Sequence, residues 1–289
     1  MMTPFRFSLF RKVAVVGVGL MGGSLAKAIK KHRLAREVVG MSRRQSTLTA
    51  ALQEKAIDKG FHDVKKAVAN ADLVVLATPV SIINNMLSTM GPFLKRNCIV
   101  TDVGSTKASI VHIAEKKLPK HVHFVGSHPL TGSEKKGIQN ADVDLYKDAF
   151  CILTPTDQTN KSACEKVKRL WTKVGARIKI LTPDEHDRIL SYISHLPHVL
   201  AYALIETIPK DCLEYAATGL KDTTRIASSS PQVWNDICIG NSKNIIHSLD
   251  ELVKNLSLIR KAIVTDNQKV LVGHFKTAKN KRDKFLPDE

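Results

Sequence analysis

The 289 residues predict an α/β chain: a doubly wound parallel sheet first, then an all-helical second part. Three observations carry that expectation. Short β-branched and apolar runs alternate with helix-like stretches as far as residue 181, the pattern of strands joined by crossover helices. The first of these runs, Val13 to Val16, leads directly into Gly17-x-Gly19-x-x-Gly22. From Thr182 onward the strand-like runs stop and nearly everything follows a helical period. The expected domains are therefore 1–181 and 182–289.

The opening strand, glycine turn and following helix (Ser24 to Ile29) make a Rossmann-type dinucleotide site. Gly17 permits the tight turn, Gly19 lets a diphosphate reach the backbone, and Gly22 lets the helix lie close on the strand. Leu20 and Met21 lie within the same turn, where the helix start offers free N–H groups and a positive dipole end. A second strand over Glu37–Met41 ends about 20 residues beyond the last motif glycine, where NAD sites place an acid for the ribose 2′-hydroxyl. Ser42-Arg43-Arg44 stands there instead. Guanidinium groups form paired, charge-assisted bonds to phosphate oxygens, so the expected cofactor is NADP, with NAD possible.

Thr47 to Lys59 has helical composition, with Gly60 as its stop. Asp72–Ala77 reads as a buried strand, ending at Thr78-Pro79, from which a helix opens near the cofactor. Cys98–Val103 is the next strand, and the Gly104-Ser105-Thr106-Lys107 that follows places a hydroxyl at a carboxyl end, where ligands collect in open sheets. Val122–Val125 runs into Gly126-Ser-His-Pro-Leu-Thr-Gly-Ser-Glu134. Phe150–Thr154 and Arg177–Leu181 flank a helix near Ser162–Val174. Thr182-Pro-Asp-Glu185 is a capping box with proline at the first helical position, a strong helix start. Apolar stripes follow, notably Ile245, Leu249, Leu252, Leu256, Ile259 and Ile263. Long stripes of this kind are buried against a second copy of a chain, so a homodimer is expected.

Composition narrows the function classes. Lys and Arg number 44 against 27 Asp and Glu, a formal charge of +17. That balance suits anionic small ligands, and no helix-turn-helix, zinc-finger or aromatic-plus-basic signature points to nucleic acid. No apolar run approaches the roughly 20 residues that span a bilayer. Residues 1–12 lack the apolar core of a signal peptide. The five cysteines are scattered and odd in number, as expected of reduced thiols in a cytoplasmic protein.

Among chemistry-bearing residues, His128 lies in a glycine- and proline-flanked loop after a strand, and an ordinary histidine pKa suits a general base. No GxSxG elbow supports a Ser–His hydrolase. His195 and His198 stand at i, i+3 on a helix but lack a third clustered ligand, so no metal is expected.

The glycine turn, Thr101-Asp-Val-Gly-Ser-Thr-Lys107, Gly126–Glu134, Ser194-His-Leu-Pro-His198 and Gly219-Leu-Lys-Asp-Thr-Thr-Arg225 occur in this order. Together they resemble the prephenate/arogenate dehydrogenases of tyrosine biosynthesis, over nearly the whole chain. The resemblance implies oxidative decarboxylation of a cyclohexadienol. It implies His128 as the acceptor of the ring hydroxyl's proton, Ser105 as the residue orienting it, and Arg225 as the anchor of a substrate carboxylate. His198 and Ser133 align with further substrate contacts, and Glu134 with an acid near the pocket mouth that pairs with the arginine. His195 and Trp234 stand in the same motifs and are read as packing positions. Pro197 is expected to kink its helix and aim His198 at the cleft. His198 resembles what prephenate-using members carry, which favours prephenate over arogenate. A β-hydroxyacid dehydrogenase shares the glycine turn but not the His-Pro and Ser-His-Leu-Pro-His motifs. A non-catalytic dinucleotide-sensing or nucleic-acid-binding protein would not need His128, Ser105 and Arg225 together. No fused mutase or regulatory domain is expected before residue 12 or after Phe285, so any tyrosine inhibition is expected to act at the active site.

Overall fold

The computed structural model describes residues 8–132 and 135–285. Eight strands form one sheet: β1 (Phe10–Val16), β2 (Ala35–Met41), β3 (Lys59–Phe61), β4 (Leu73–Leu76), β5 (Ile99–Asp102), β6 (His123–Pro129), β7 (Phe150–Thr154) and β8 (Arg177–Ile180). Their spatial order is β3-β2-β1-β4-β5-β6-β7-β8. Every neighbouring pair is parallel except β6 and β7, which run antiparallel. The chain leaves β1 towards β2 on one side and returns to β4 on the other. The carboxyl end of β1 is therefore the switch point at which open α/β sheets bind ligands.

Successive residues of a strand face opposite sides of the sheet, and β1 uses both. Val13 and Val15 join the core on one face with Leu25, Leu153 and Trp171; Ala14 and Val16 join the other with Leu76, Ile83 and Ile110. All four β1 side chains are fully buried, which explains a continuous rather than alternating apolar run. Helices α1 (Leu20–Lys31), α2 (Gln45–Gln53), α3 (Val64–Val68), α4 (Val80–Thr89), α5 (Ala108–Lys117) and α6 (Lys161–Lys173) make the crossovers.

The helix expected over Thr47–Lys59 is shorter than that. It stops at Gln53, Lys55 takes a left-handed backbone (φ 52°), and Lys59–Phe61 becomes the edge strand β3 paired with Val39–Met41. Three residues hold too few alternations to be read as a strand; only the pairing with β2 defines them.

The capping box at Thr182 is present. The Thr182 hydroxyl accepts from the Glu185 amide at 3.2 Å, and the Glu185 carboxylate accepts from the Thr182 amide at 2.9 Å. It starts α7 (Pro183–Leu190), followed by α8 (Leu196–Thr207), α9 (Thr218–Thr224) and α10 (Pro231–Gly240). Between α7 and α8, Ser191–His195 is a π-helical turn. Proline at 197 offers no N–H and crowds the preceding turn, and the widened turn is how the backbone absorbs it.

These helices group with the sheet into one compact unit ending at Asn241; α11 (Ser242–Val264) and α12 (Gln268–Phe285) form another. Within that second unit Leu256, Ile263, Val270, Val272 and Phe275 are exposed. None of the described helices is long and apolar enough to cross a membrane.

Candidate active site

The carboxyl ends of β1, β4, β5 and β6 lie side by side and carry the predicted site residues. At the end of β1 the glycine turn has the expected geometry. Gly17 has φ +97°, and a Cβ there would lie 2.5 Å from the Ala77 carbonyl oxygen. Gly22 is tighter still: a Cβ would meet the Gly17 carbonyl oxygen at 2.0 Å. Gly19 differs, because a Cβ there would project into open space. Gly19 precedes the first turn of α1, which no side chain caps, so the amides of Leu20 and Met21 are available to an anion. At the end of β4 the Thr78 hydroxyl is buried without a hydrogen-bond partner, and Pro79 opens α4. An open glycine, an uncapped helix start and an orphaned hydroxyl around one turn fit a bound diphosphate.

Gly22→Ala tests that turn. Forced overpacking costs about 1–3 kcal/mol, or roughly 2–10 °C in a chain of this size. The melting temperature should fall accordingly, and dinucleotide affinity, followed by fluorescence titration, should drop about tenfold. Unchanged values for both would show that the turn tolerates a side chain and does not hold the diphosphate.

Ser42 follows β2 and is tied into the edge of the sheet: its amide donates to the Phe61 carbonyl at 3.1 Å, and its hydroxyl accepts from the Arg44 amide at 3.2 Å. Arg43 and Arg44 are exposed. The His62 ring bridges the Ser42 carbonyl (2.9 Å) and the Gln45 side-chain oxygen (2.8 Å), which stiffens this loop.

The end of β5 is held from below. Lys107 and Asp102 are fully buried and paired, and the same ammonium donates to the Ser127 carbonyl at 3.1 Å. Asp102 also accepts from the amides of Gly104 (2.9 Å) and Ser127 (3.1 Å). A buried pair survives only when its remaining hydrogen-bonding capacity is used, as here. The result is a rigid platform fixing the Gly104–Lys107 loop against β6 and the histidine it carries.

His128 is buried on β6, and burial pushes its pKa well below the usual value of 6.5, with the His186 and Lys107 charges adding to the effect. It is an uncharged base at neutral pH. Its Nδ1 lies 2.8 Å from Nε2 of His186, with the two rings edge to face at 5.0 Å. His186 Nδ1 is in turn 2.8 Å from the Asp187 carboxylate. That carboxylate accepts from the Lys107 amide (2.7 Å) and the Ala108 amide (2.9 Å), so it caps α5 from another helix. Ser105, expected to orient His128, is half-buried and makes no hydrogen bond to it; the partner of His128 Nδ1 is His186.

His198 lies at the start of α8. Its Nδ1 donates to the Ser194 carbonyl at 2.9 Å, and its ring stacks on Trp234 at 3.7 Å with an interplanar angle of 21°. Burial lowers its pKa, the Ser194 carbonyl opposes that, and the nearby Arg225 charge lowers it further. Arg225 itself is exposed, at the first residue of a short 3-10 turn after α9. His195 is buried. The Asn241 amide nitrogen donates to its Nδ1 (3.1 Å) and to the Asp187 carbonyl (2.7 Å), while burial takes its pKa down to about 4. Trp234, expected to pack, is buried and packs face to face with the His198 ring. Ser133 and Glu134 lie outside the described residues. Among the described residues, no three His, Cys, Asp or Glu side chains are grouped to hold a metal.

Residues 25–188 match the family model described as prephenate dehydrogenase, nucleotide-binding domain, and residues 182–277 match prephenate dehydrogenase, dimerization domain. A prephenate dehydrogenase of Bacillus subtilis is 37% identical over 94% of this chain and 75% of its own length. The chain belongs to the prephenate dehydrogenase family. It is accordingly a nicotinamide-linked oxidoreductase. A cyclohexadienyl dehydrogenase of Zymomonas mobilis is 33% identical over 95% of this chain and 96% of its own length. The prephenate dehydrogenase of Aquifex aeolicus, solved with hydroxyphenyl propionate and NAD+, superposes with a TM-score of 0.88 at 34% identity, covering 95% of this chain and 98% of that one.

The pair His186–Asp187 is absent from the sequence expectations above. A signal for it exists: in α7, His186 and Leu190 are i, i+4, so a polar His-Asp pair occupies the inward stripe of a well-capped amphipathic helix. Polar groups at core positions have partners when buried, and these two point at β6 and α5.

Proposed function

We propose that this chain oxidises and decarboxylates prephenate to 4-hydroxyphenylpyruvate and carbon dioxide, with NADP as the preferred hydride acceptor. The observation that carries the reading is His128: a buried, uncharged base at the end of β6, beside a dinucleotide turn. His128 Nε2 accepts the proton of the ring hydroxyl while Arg225 holds a substrate carboxylate in a two-pronged contact. A dinucleotide held by its diphosphate at the glycine turn would supply the acceptor for the hydride of the carbon that bears the hydroxyl. Aromatisation of the ring drives loss of carbon dioxide, so the protein's work is alignment and removal of one proton. Ser105 faces the same space from the β5 loop and assists the hydroxyl. His198, flattened on Trp234, presents its remaining ring nitrogen to the substrate. On the family resemblance alone, Ser133 is assigned a substrate contact and Glu134 the acid that pairs with Arg225. Leu20, Met21, Thr78 and Pro79 frame the dinucleotide.

We propose a functional division at residue 182, between the cofactor part and the part that supplies Arg225 and His198; it falls inside the compact unit that ends at Asn241. The matched dimerization domain and the exposed apolar residues of α11 and α12 support a homodimer, and we place the enzyme in the cytoplasm. A second reading, arogenate as substrate, is favoured by the similarity to a cyclohexadienyl dehydrogenase. One assay matrix of prephenate and arogenate against NAD and NADP, followed at the reduced nicotinamide absorbance, separates the readings. Arg43→Ala/Arg44→Ala should raise KM for NADP about 10–150-fold, from the 1.5–3 kcal/mol of charged hydrogen bonds, and leave KM for NAD within twofold. Equal changes for the two cofactors would rule these arginines out as the 2′-phosphate site.

A further inference from the structure

Every hydrogen position around His128 follows from one carboxylate. A carboxylate oxygen facing N–H groups accepts, so Asp187 takes the amides of Lys107 and Ala108 and the Nδ1–H of His186. With its proton on Nδ1, neutral His186 has a lone pair on Nε2. The atom 2.8 Å from that lone pair, His128 Nδ1, must then be the donor. This leaves the lone pair of His128 on Nε2. We infer that His186 and Asp187 are positioning residues for the reaction, locking His128 in its Nδ1–H tautomer and receiving the charge when its Nε2 takes a proton. The inference rests on the reading of His128 as the proton acceptor.

The step balances without any further reactant. The substrate O–H bond breaks and a bond to Nε2 of His128 forms. The Nδ1 proton of His128 then moves along the 2.8 Å hydrogen bond to Nε2 of His186, which becomes the imidazolium facing Asp187. An imidazolium at His128 itself would be buried and would face the Lys107 ammonium from the β5 loop, which opposes positive charge, and the buried His195 ring from the π turn. The buried Asp102 is already committed to Lys107, and Cys151 of β7 is an uncharged neighbour whose thiol burial pushes well up. At His186 the Lys107 charge also opposes a positive charge, but the Asp187 carboxylate bonded to the ring and the Asp102 carboxylate favour it. Moving it there is the electrostatic reason for a second histidine. The same ordering of carboxylate, imidazole and reacting atom fixes the tautomer in Ser-His-Asp triads.

The test uses the full chain labelled with 15N-histidine. In the wild type at pH 7, His128 should appear protonated on Nδ1 and bare on Nε2. His186→Leu removes the acceptor; kcat should fall about 10²–10³-fold, with KM and the cofactor dissociation constant within threefold, and the acid limb of its pH profile should shift. His186→Gln offers a carbonyl oxygen to the same Nδ1–H and should restore at least tenfold of the lost turnover, with the Nδ1–H tautomer regained. Finding His128 protonated on Nε2 in the wild type overturns the inference. So does wild-type turnover with an unmoved acid limb in His186→Leu while His128→Asn is inactive. Full turnover in His128→Asn would instead remove both the inference and the base assignment beneath it.

Discussion

His128→Asn should lower kcat by about 10²–10⁴-fold, the usual contribution of a positioned proton acceptor, with cofactor affinity unchanged. The structure makes this substitution a clean one. Asparagine keeps a polar group on β6 next to His186 but has no nitrogen lone pair to receive a proton. The Lys107–Asp102 platform does not involve the His128 side chain, so the strand end should keep its place. Stopped-flow measurement of nicotinamide reduction at saturating substrate gives the number directly. Turnover within tenfold of the wild type would end the assignment of His128 as the base. A fall in cofactor affinity of the same size would mean that the variant has damaged the turn rather than the chemistry.

Arg225→Ala should act on the other term. Loss of a charged, paired contact to a carboxylate removes about 1.5–3 kcal/mol of binding, which is roughly a 10–150-fold rise in KM. The effect on kcat should be small, because the contact is present in both the bound and the reacting substrate. Arg225→Lys should recover only part of the loss, since an ammonium lacks the two-pronged geometry. An independent readout comes from His198. The Arg225 charge lowers the His198 pKa, so removing it should raise that pKa, observable by NMR titration. An unchanged KM would exclude Arg225 as the carboxylate anchor, and an unmoved His198 titration would mean that the two side chains do not share one electrostatic environment.

The two parts of the site differed in how far the sequence exposed them. The glycine turn was fully legible because its requirements are local. A positive φ at Gly17, a close approach at Gly22 and an open face at Gly19 concern residues within one turn of chain, and the strand before them and helix after them give context. The capping box at Thr182 was legible for the same reason. The edge strand β3 was not, since its identity depends on hydrogen bonds to β2 rather than on its own three residues. The π turn at Ser191–His195 lies between: Pro197 announces a disturbance, but which way the backbone relaxes depends on the packing of α7 and α8.

Local sequence is enough for a dinucleotide turn at the head of a parallel sheet, a helical second part, and the motifs that place this chain among prephenate dehydrogenases. It also picks out His128, Arg225 and His198 as the polar residues of those motifs. What surrounds them depends on long-range packing. Lys107 and Asp187 are 80 positions apart, and His128 and His186 are 58 apart, yet 2.7–2.8 Å separates their bonded atoms. Contacts at that range arise when α7 packs across the ends of β5 and β6, burying polar atoms that must find partners. Periodicity and spacing report which face of an element is apolar; they do not report which distant element comes to cover it. His128, expected in a loop, is a residue of β6, and packing at the strand ends makes it the outer member of a three-residue chain.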